Sequence, residues 1–177
     1  MNKNKTNKEL KLAKTAEALA AWEPLGLLCD TDMKKHVHDI IRKGAETPTY
    51  HWSVDYRSIN IATLRALLGL PKSAYHRHCS KNASHEHMTP VAVIYKMIMK
   101  LKIRSAKNIL ALLVKYCIRA TITKEENDIL NAAGYKSTMP EEFYTLTEGY
   151  ENLYENPRAR YIAAGIDDKL VVNTLSV

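Results

Sequence analysis

At 177 residues, with 46% hydrophobic and 25% charged side chains, the chain is long enough to bury a core and too apolar for wholesale disorder. The formal charge is +7. The longest greasy run, Ile109 to Val114, falls far short of the roughly 18 residues a membrane span needs, so no membrane partner is expected. Cys29, Cys79 and Cys117 are scattered with no CxxC pair, which argues against a disulfide framework or a thiolate zinc site. The N-terminus lacks the apolar core of a signal peptide, and the expected location is cytoplasmic.

Met1 to Thr6 forms a lysine-rich lead, expected to be mobile. From Asn7 to Ala21, Leu10, Ala13, Ala16 and Leu19 recur every three residues, which predicts an amphipathic helix stopped before Pro24. Asp30 or Thr31 can cap a second helix carrying Met33, Val37, Ile40 and Ile41, with Gly44 past its end. Thr47 to Tyr56 is the only convincing non-helical stretch, a short strand or an aromatic-pinned loop. Asn60 caps a helix with Ile61, Leu64, Leu67 and Leu68 that is halted by Gly69, and a short helix over 72–81 follows. The polar stretch NASHEHM is read as a connection. Thr89-Pro90 opens a helix to about Lys102, and Ser105 opens another with Ile109, Leu112, Leu113 and Tyr116 inward. Thr123-x-x-Glu126 is a capping box leading to Gly134, and Thr138-x-x-Glu141 predicts a further helix running to Tyr154. Pro157 to Gly165 adds a short helix before the apolar tail from Leu170. The expected fold is all-α, a multi-helix domain containing a helix-turn-helix, with little or no β-structure.

The charge is unevenly placed. Residues 61–120 hold eleven bases against Glu86 alone, whereas residues 121–177 hold five bases against ten acids. A cationic middle third suits a polyanionic partner. Within it, IATLRALLGLPKSAYHRHCSK has the pattern of a helix-turn-helix: Leu64 and Leu68 inward, Gly69 at the turn, Leu70 as the core plug, Tyr75 inward five residues later. Lys72, Ser73, His76, Arg77, Ser80 and Lys81 then face outward, donors suited to phosphate oxygens and major-groove base edges.

On Gly69, Leu70, Ser73, Ala74 and Tyr75 this segment resembles the helix-turn-helix of phage Cro and repressor proteins and of XRE-like regulators. GLPKSAYHRHCSK is also similar to the recognition helix of TetR-type repressors, and TITKEENDILNAAGY resembles the helix after the DNA-binding domain in many XRE-type regulators. The departures are Arg65, where a small residue is expected, and the inward His78. The resemblance implies sequence-specific binding of double-stranded DNA.

All seven histidines lie between His36 and His87. HRHC-x5-HEH could bring four ligands to zinc, but residues two apart on a helix point about 200° from one another, so His76 and His78 cannot both chelate there. A histidine-metal nuclease also needs carboxylates or Asn near the metal, and Glu86 is the sole acid of residues 61–120. Neither a metal, a cofactor nor a catalytic residue is expected. The acidic end, Glu141 to Glu155 with Phe143, Tyr144, Tyr150, Leu153 and Tyr154, reads as a helical surface for a homodimer or a protein partner.

Three stretches of what is expected to be one compact domain follow: 1–56, a helical segment with the mobile basic lead; 57–120, the basic helix-turn-helix core; and 121–177, the acidic helical interaction and dimerisation segment. The expectation is a DNA-binding transcriptional regulator of bacterial, phage or plasmid type, with Lys96 and Lys100 adding phosphate contacts beside Lys81. The alternatives are a helical protein-binding adaptor and, behind it, the metal nuclease.

Overall fold

The computed structural model describes residues 7–44, 56–58, 61, 81–167 and 170–172, and for 57, 58 and 170–172 the backbone alone. Its described residues fall into two compact units, each built from separate pieces of chain: one from 7–44 and 91–117, the other from 56–61, 81–90 and 118–172.

Among the described residues the first unit has four α-helices: α1 (Asn7–Trp22), α2 (Lys34–Gly44), α3 (Val91–Lys100) and α4 (Ala106–Tyr116). They pack in a closed ring, α1 on α4 and α2, and α3 on α2 and α4. Its core is formed by Leu12, Ala16 and Leu19 of α1, Val37 and Ile41 of α2, Ile94 and Ile98 of α3, and Ile109, Leu113 and Tyr116 of α4. The three-residue spacing expected for α1 drifts around a helix of 3.6 residues per turn, so Leu12 and Thr15 turn inward and Leu10 is left about half exposed. Gly44 is the last residue of α2 rather than lying past it, and a Cβ there would stand 2.5 Å from the Thr15 hydroxyl. After α1 the chain passes through a 3-10 turn at Glu23–Leu25, and Asp30 accepts the backbone N–H groups of Asp32 and Met33 before α2. Ser105 caps α4 as expected, its hydroxyl accepting Asn108 N–H.

The second unit overturns the all-α expectation. It holds a four-stranded mixed sheet of β1 (Tyr56–Ser58), β2 (Ala83–His87), β3 (Arg119–Thr123) and β4 (Leu170–Val172), in the order β2-β3-β1-β4. β3 pairs antiparallel with β2 and parallel with β1, and β4 runs antiparallel along β1. NASHEHM, read as a connection, contains the β2 strand. It escapes sequence reading because it carries no β-branched residue and its partner β3 lies across more than thirty residues of chain. β3 is hidden for another reason: RATIT runs directly into the capping box and reads as a helical approach.

The capping box itself is present. Thr123 Oγ1 accepts Glu126 N–H at 3.1 Å, and Glu126 Oε2 accepts Thr123 N–H at 2.8 Å, opening α5 (Lys124–Ala132). Gly134 ends the turn beyond it with φ +83°, while Tyr135 N–H bonds back to Leu130. The helix expected from Thr138 to Tyr154 is absent. Thr138 Oγ1 donates backward to Gly134 O, a single 3-10 turn spans Glu141–Phe143, and turns follow through Gly149 at φ +82°. Thr145, Thr147 and Gly149 are weak helix formers, and Met139, Phe143 and Leu153 anchor the segment without helical periodicity. A short α6 (Ala159–Ala163) precedes β4.

One face of this sheet is apolar. Ala120 and Ile122 pack with Met88, Leu130 of α5, Tyr161 of α6 and Ile166, and Tyr56 lies against them.

Candidate nucleic-acid interface

Lys72, Ser73, His76, Arg77 and Ser80, the expected groove-facing set, lie outside the described residues, as do Gly69, Leu70 and Tyr75. Lys81 is exposed in the second unit. Lys96 and Lys100 are exposed in the first, one turn apart on α3 and therefore on one helix face.

The α3–α4 pair is more cationic than those two lysines alone indicate. Residues 91–117 carry six bases and no acid, and Lys96, Lys100, Lys102, Lys107 and Lys115 are all exposed. Arg104 is the exception. Its Nη1 meets Glu23 at 2.5 Å and its Nη2 donates to Met99 O at 2.7 Å, so it braces the α3–α4 connection against the end of α1. The helix α2, packed on α3, adds exposed Lys34, Lys35, Arg42 and Lys43. A shallow recess of about 410 Å³ there is lined by Thr31, Lys34, Lys35, His38, Asp39 and Arg42. His38 stacks edge-on against Tyr95 at 5.0 Å, and Lys34 stands 5.9 Å over the same ring. Tyr95 is fixed by donating its hydroxyl to Leu28 O at 2.9 Å. Burial lowers the His38 pKa, and Lys34 and Arg42 lower it further against the opposing pull of Asp39. The surroundings thus disfavour a positive charge on this imidazole.

The strand β2 rearranges the histidine cluster. In a strand, residues two apart share a face, so His85 and His87 point together where a helix would have separated them. Opposite them on β3 stand Thr121 and Arg119, in register His85 to Thr121 and His87 to Arg119. His85 Nδ1 lies 2.8 Å from Thr121 Oγ1. Thr121, Arg119 and His87 are buried, and His85 is half-buried. Composition could have flagged this quartet, but its assembly depends on a long-range register.

Alternation sends Glu86 to the other face, where the buried Arg160 of α6 takes it. Arg160 also donates to Met88 O at 2.8 Å, His87 O at 2.7 Å and Tyr135 O at 2.9 Å. Burial pushes the Glu86 carboxyl up, against the pull of the guanidinium, and the Tyr161 phenol is pushed up by complete burial. This cluster ties α6 and the end of α5 to the edge of β2, and its guanidinium is used up in doing so. Nearby, Arg158 pairs with Asp167 at 2.5 Å and lies 5.4 Å over Tyr56.

Among the described residues no group of three His, Cys, Asp or Glu is placed to hold a metal ion, and no helix is long and apolar enough to cross a membrane. No family model, no curated protein and no solved structure matches the chain.

Proposed function

We propose that this protein is a sequence-specific DNA-binding transcriptional regulator of bacterial, phage or plasmid type. The observation that carries the reading is the charge of the α3–α4 pair, six bases without an acid, with five of the lysines exposed. Nucleic-acid affinity rests first on such cations meeting phosphates and releasing counterions. The helix-turn-helix pattern of residues 61–81 supplies the base-reading element of the proposal, with Lys72, Ser73, His76 and Arg77 in the major groove and Lys81, Lys96 and Lys100 near phosphates. Selection of bound sequences from a random duplex pool tests the reading. An enriched motif is the expected outcome, and no duplex uptake even at low salt defeats it. Replacing Lys96 and Lys100 together by Gln should flatten the slope of log affinity against log salt by about 2, near one for each phosphate that no longer meets a lysine.

One observation favours a second reading, a protein-binding adaptor. Tyr144, Leu146, Tyr150 and Tyr154 are exposed among Glu141, Glu148, Glu151 and Glu155. An adaptor would bind no duplex and would lose its partner on substitution of Tyr150 and Leu146.

A further inference from the structure

We propose that the recess between the end of α1 and the outer face of α2 is a binding site for a small aromatic carboxylate. No residue of α3 or α4 lines it, so it stands apart from the DNA reading.

The recess measures about 310 Å³ and is lined by Trp22, Met33, His36, Asp39, Ile40 and Lys43. Small-molecule sites run from roughly 300 to 1,000 Å³, so this one suits a ligand built on a single ring. Its apolar wall consists of side chains that the core leaves over. α2 turns Val37, Ile41 and Gly44 inward, whereas Ile40 lies on the neighbouring face and is half-buried. Met33 just before the helix and Trp22 at the end of α1 are half-buried too. Three apolar groups left partly in water around one hollow lose more solvent contact when an apolar ligand enters. An indole and a thioether favour an aromatic ring over an aliphatic chain. The backbone holds this wall in place. Trp22 O accepts Leu27 N–H at 3.3 Å, Met33 N–H donates to Asp30 Oδ1 at 3.2 Å, and Met33 O accepts Val37 N–H at 2.9 Å.

The polar side of the recess selects the charge of the ligand. His36, Ile40 and Lys43, spaced i, i+4 and i+7, stand on one face of α2, so a cation flanks the apolar wall within the same hollow. His36 and Lys43 are both exposed, and among the described residues neither takes part in a hydrogen bond or an ion pair. Asp39, the one acid of the lining, is engaged by Arg42 Nη1 at 2.8 Å. The Lys43 ammonium is therefore the unmatched charge of the recess, and a carboxylate is the group that completes it. His36 offers an imidazole N–H as a further donor at the rim.

The test follows the indole N–H signals of the nitrogen-labelled full chain by nuclear magnetic resonance. The chain has two tryptophans, Trp22 and Trp52, and the signal lost in Trp22→Phe is that of Trp22. Phenylacetate is titrated at constant pH and ionic strength, with phenylacetamide and phenethylamine as neutral and cationic probes carrying the same ring. A saturable shift of the Trp22 signal is expected, with an affinity on the order of millimolar for so small a ligand. Phenylacetate should bind about fivefold more tightly than the amide, the upper range for an ion pair at an exposed lysine. Lys43→Gln, shown by circular dichroism to fold, should remove that preference and leave the affinity for the amide unchanged. A purely structural effect would weaken acid and amide alike. Ile40→Ser should weaken both, because it removes part of the apolar wall. The site is overturned if the Trp22 signal shows no saturable shift, or if the amide or the amine binds as well as phenylacetate. It is equally overturned if the preference survives Lys43→Gln, or if Ile40→Ser leaves both affinities unchanged. None of these outcomes bears on duplex binding by Lys96 and Lys100, so the two proposals fail separately.

Discussion

Replacing Arg160 by Leu would leave the Glu86 carboxyl buried beside three backbone carbonyls deprived of their donor. Breaking a buried ion pair from one side costs about 3–5 kcal/mol. The expected result is a large fall in the urea midpoint, larger than for Glu86→Gln, after which Arg160 still has its three carbonyl acceptors and an amide oxygen. His38 gives a pH effect whose sign follows from its lowered pKa. Below the ordinary histidine value near 6.5 the unfolded chain takes up this proton while the folded chain resists it, so stability falls as pH drops through that range. Urea titrations at pH 7.5 and 5.5 should show a smaller drop for His38→Gln than for the wild type. Neither residue stands out in the sequence. An arginine near the C-terminus and a histidine in a basic helix look solvated until their neighbours are known.

At the scale of the element, the termini were the most legible part of the fold. The Thr123–Glu126 box and the Ser105 cap are local in sequence, and the donor and acceptor are fixed within one turn of each other. Thr123→Ala should cost about 1 kcal/mol, and more than Ser105→Ala, because Thr123 is half of a reciprocal pair whereas the Ser105 bond is long at 3.3 Å. Paired denaturation curves would read the difference. The meeting of α1 and α2 makes a sterically sharper case. Gly44→Ala would drive a methyl group into Thr15 and should destabilise by about 1–3 kcal/mol, with partial recovery in the double variant carrying Thr15→Ala. The Thr138-x-x-Glu141 pattern shows the limit of such signals: a cap sequence opens a helix only where the following residues sustain it, and Thr145, Thr147 and Gly149 do not.

Across the whole molecule, the two compact units are each assembled from separated stretches of chain, with α3 and α4 lying in the sequence between the antiparallel partners β2 and β3. Charge is divided with them. The described part of the second unit from Met139 to Pro157 carries five Glu and no Lys or Arg, while α3 and α4 carry only bases. Association with a polyanion should therefore weaken steeply with salt when α3 and α4 are intact and much less when their lysines are neutralised. The double Lys96→Gln, Lys100→Gln variant gives the first point of that series.

The sequence by itself determined the charge asymmetry, the helices α1 to α5 and the caps that begin α4 and α5, because each depends on residues within a few turns of one another. It also placed Lys81, Lys96 and Lys100 at exposed positions. Only the tertiary structure decided that the chain contains a sheet, and that His85 and His87 share a face with Thr121 and Arg119. The physical reason is that a strand of period two has no partner in its own sequence. Its register, and therefore which side chains meet, is set by hydrogen bonds to residues more than thirty positions away.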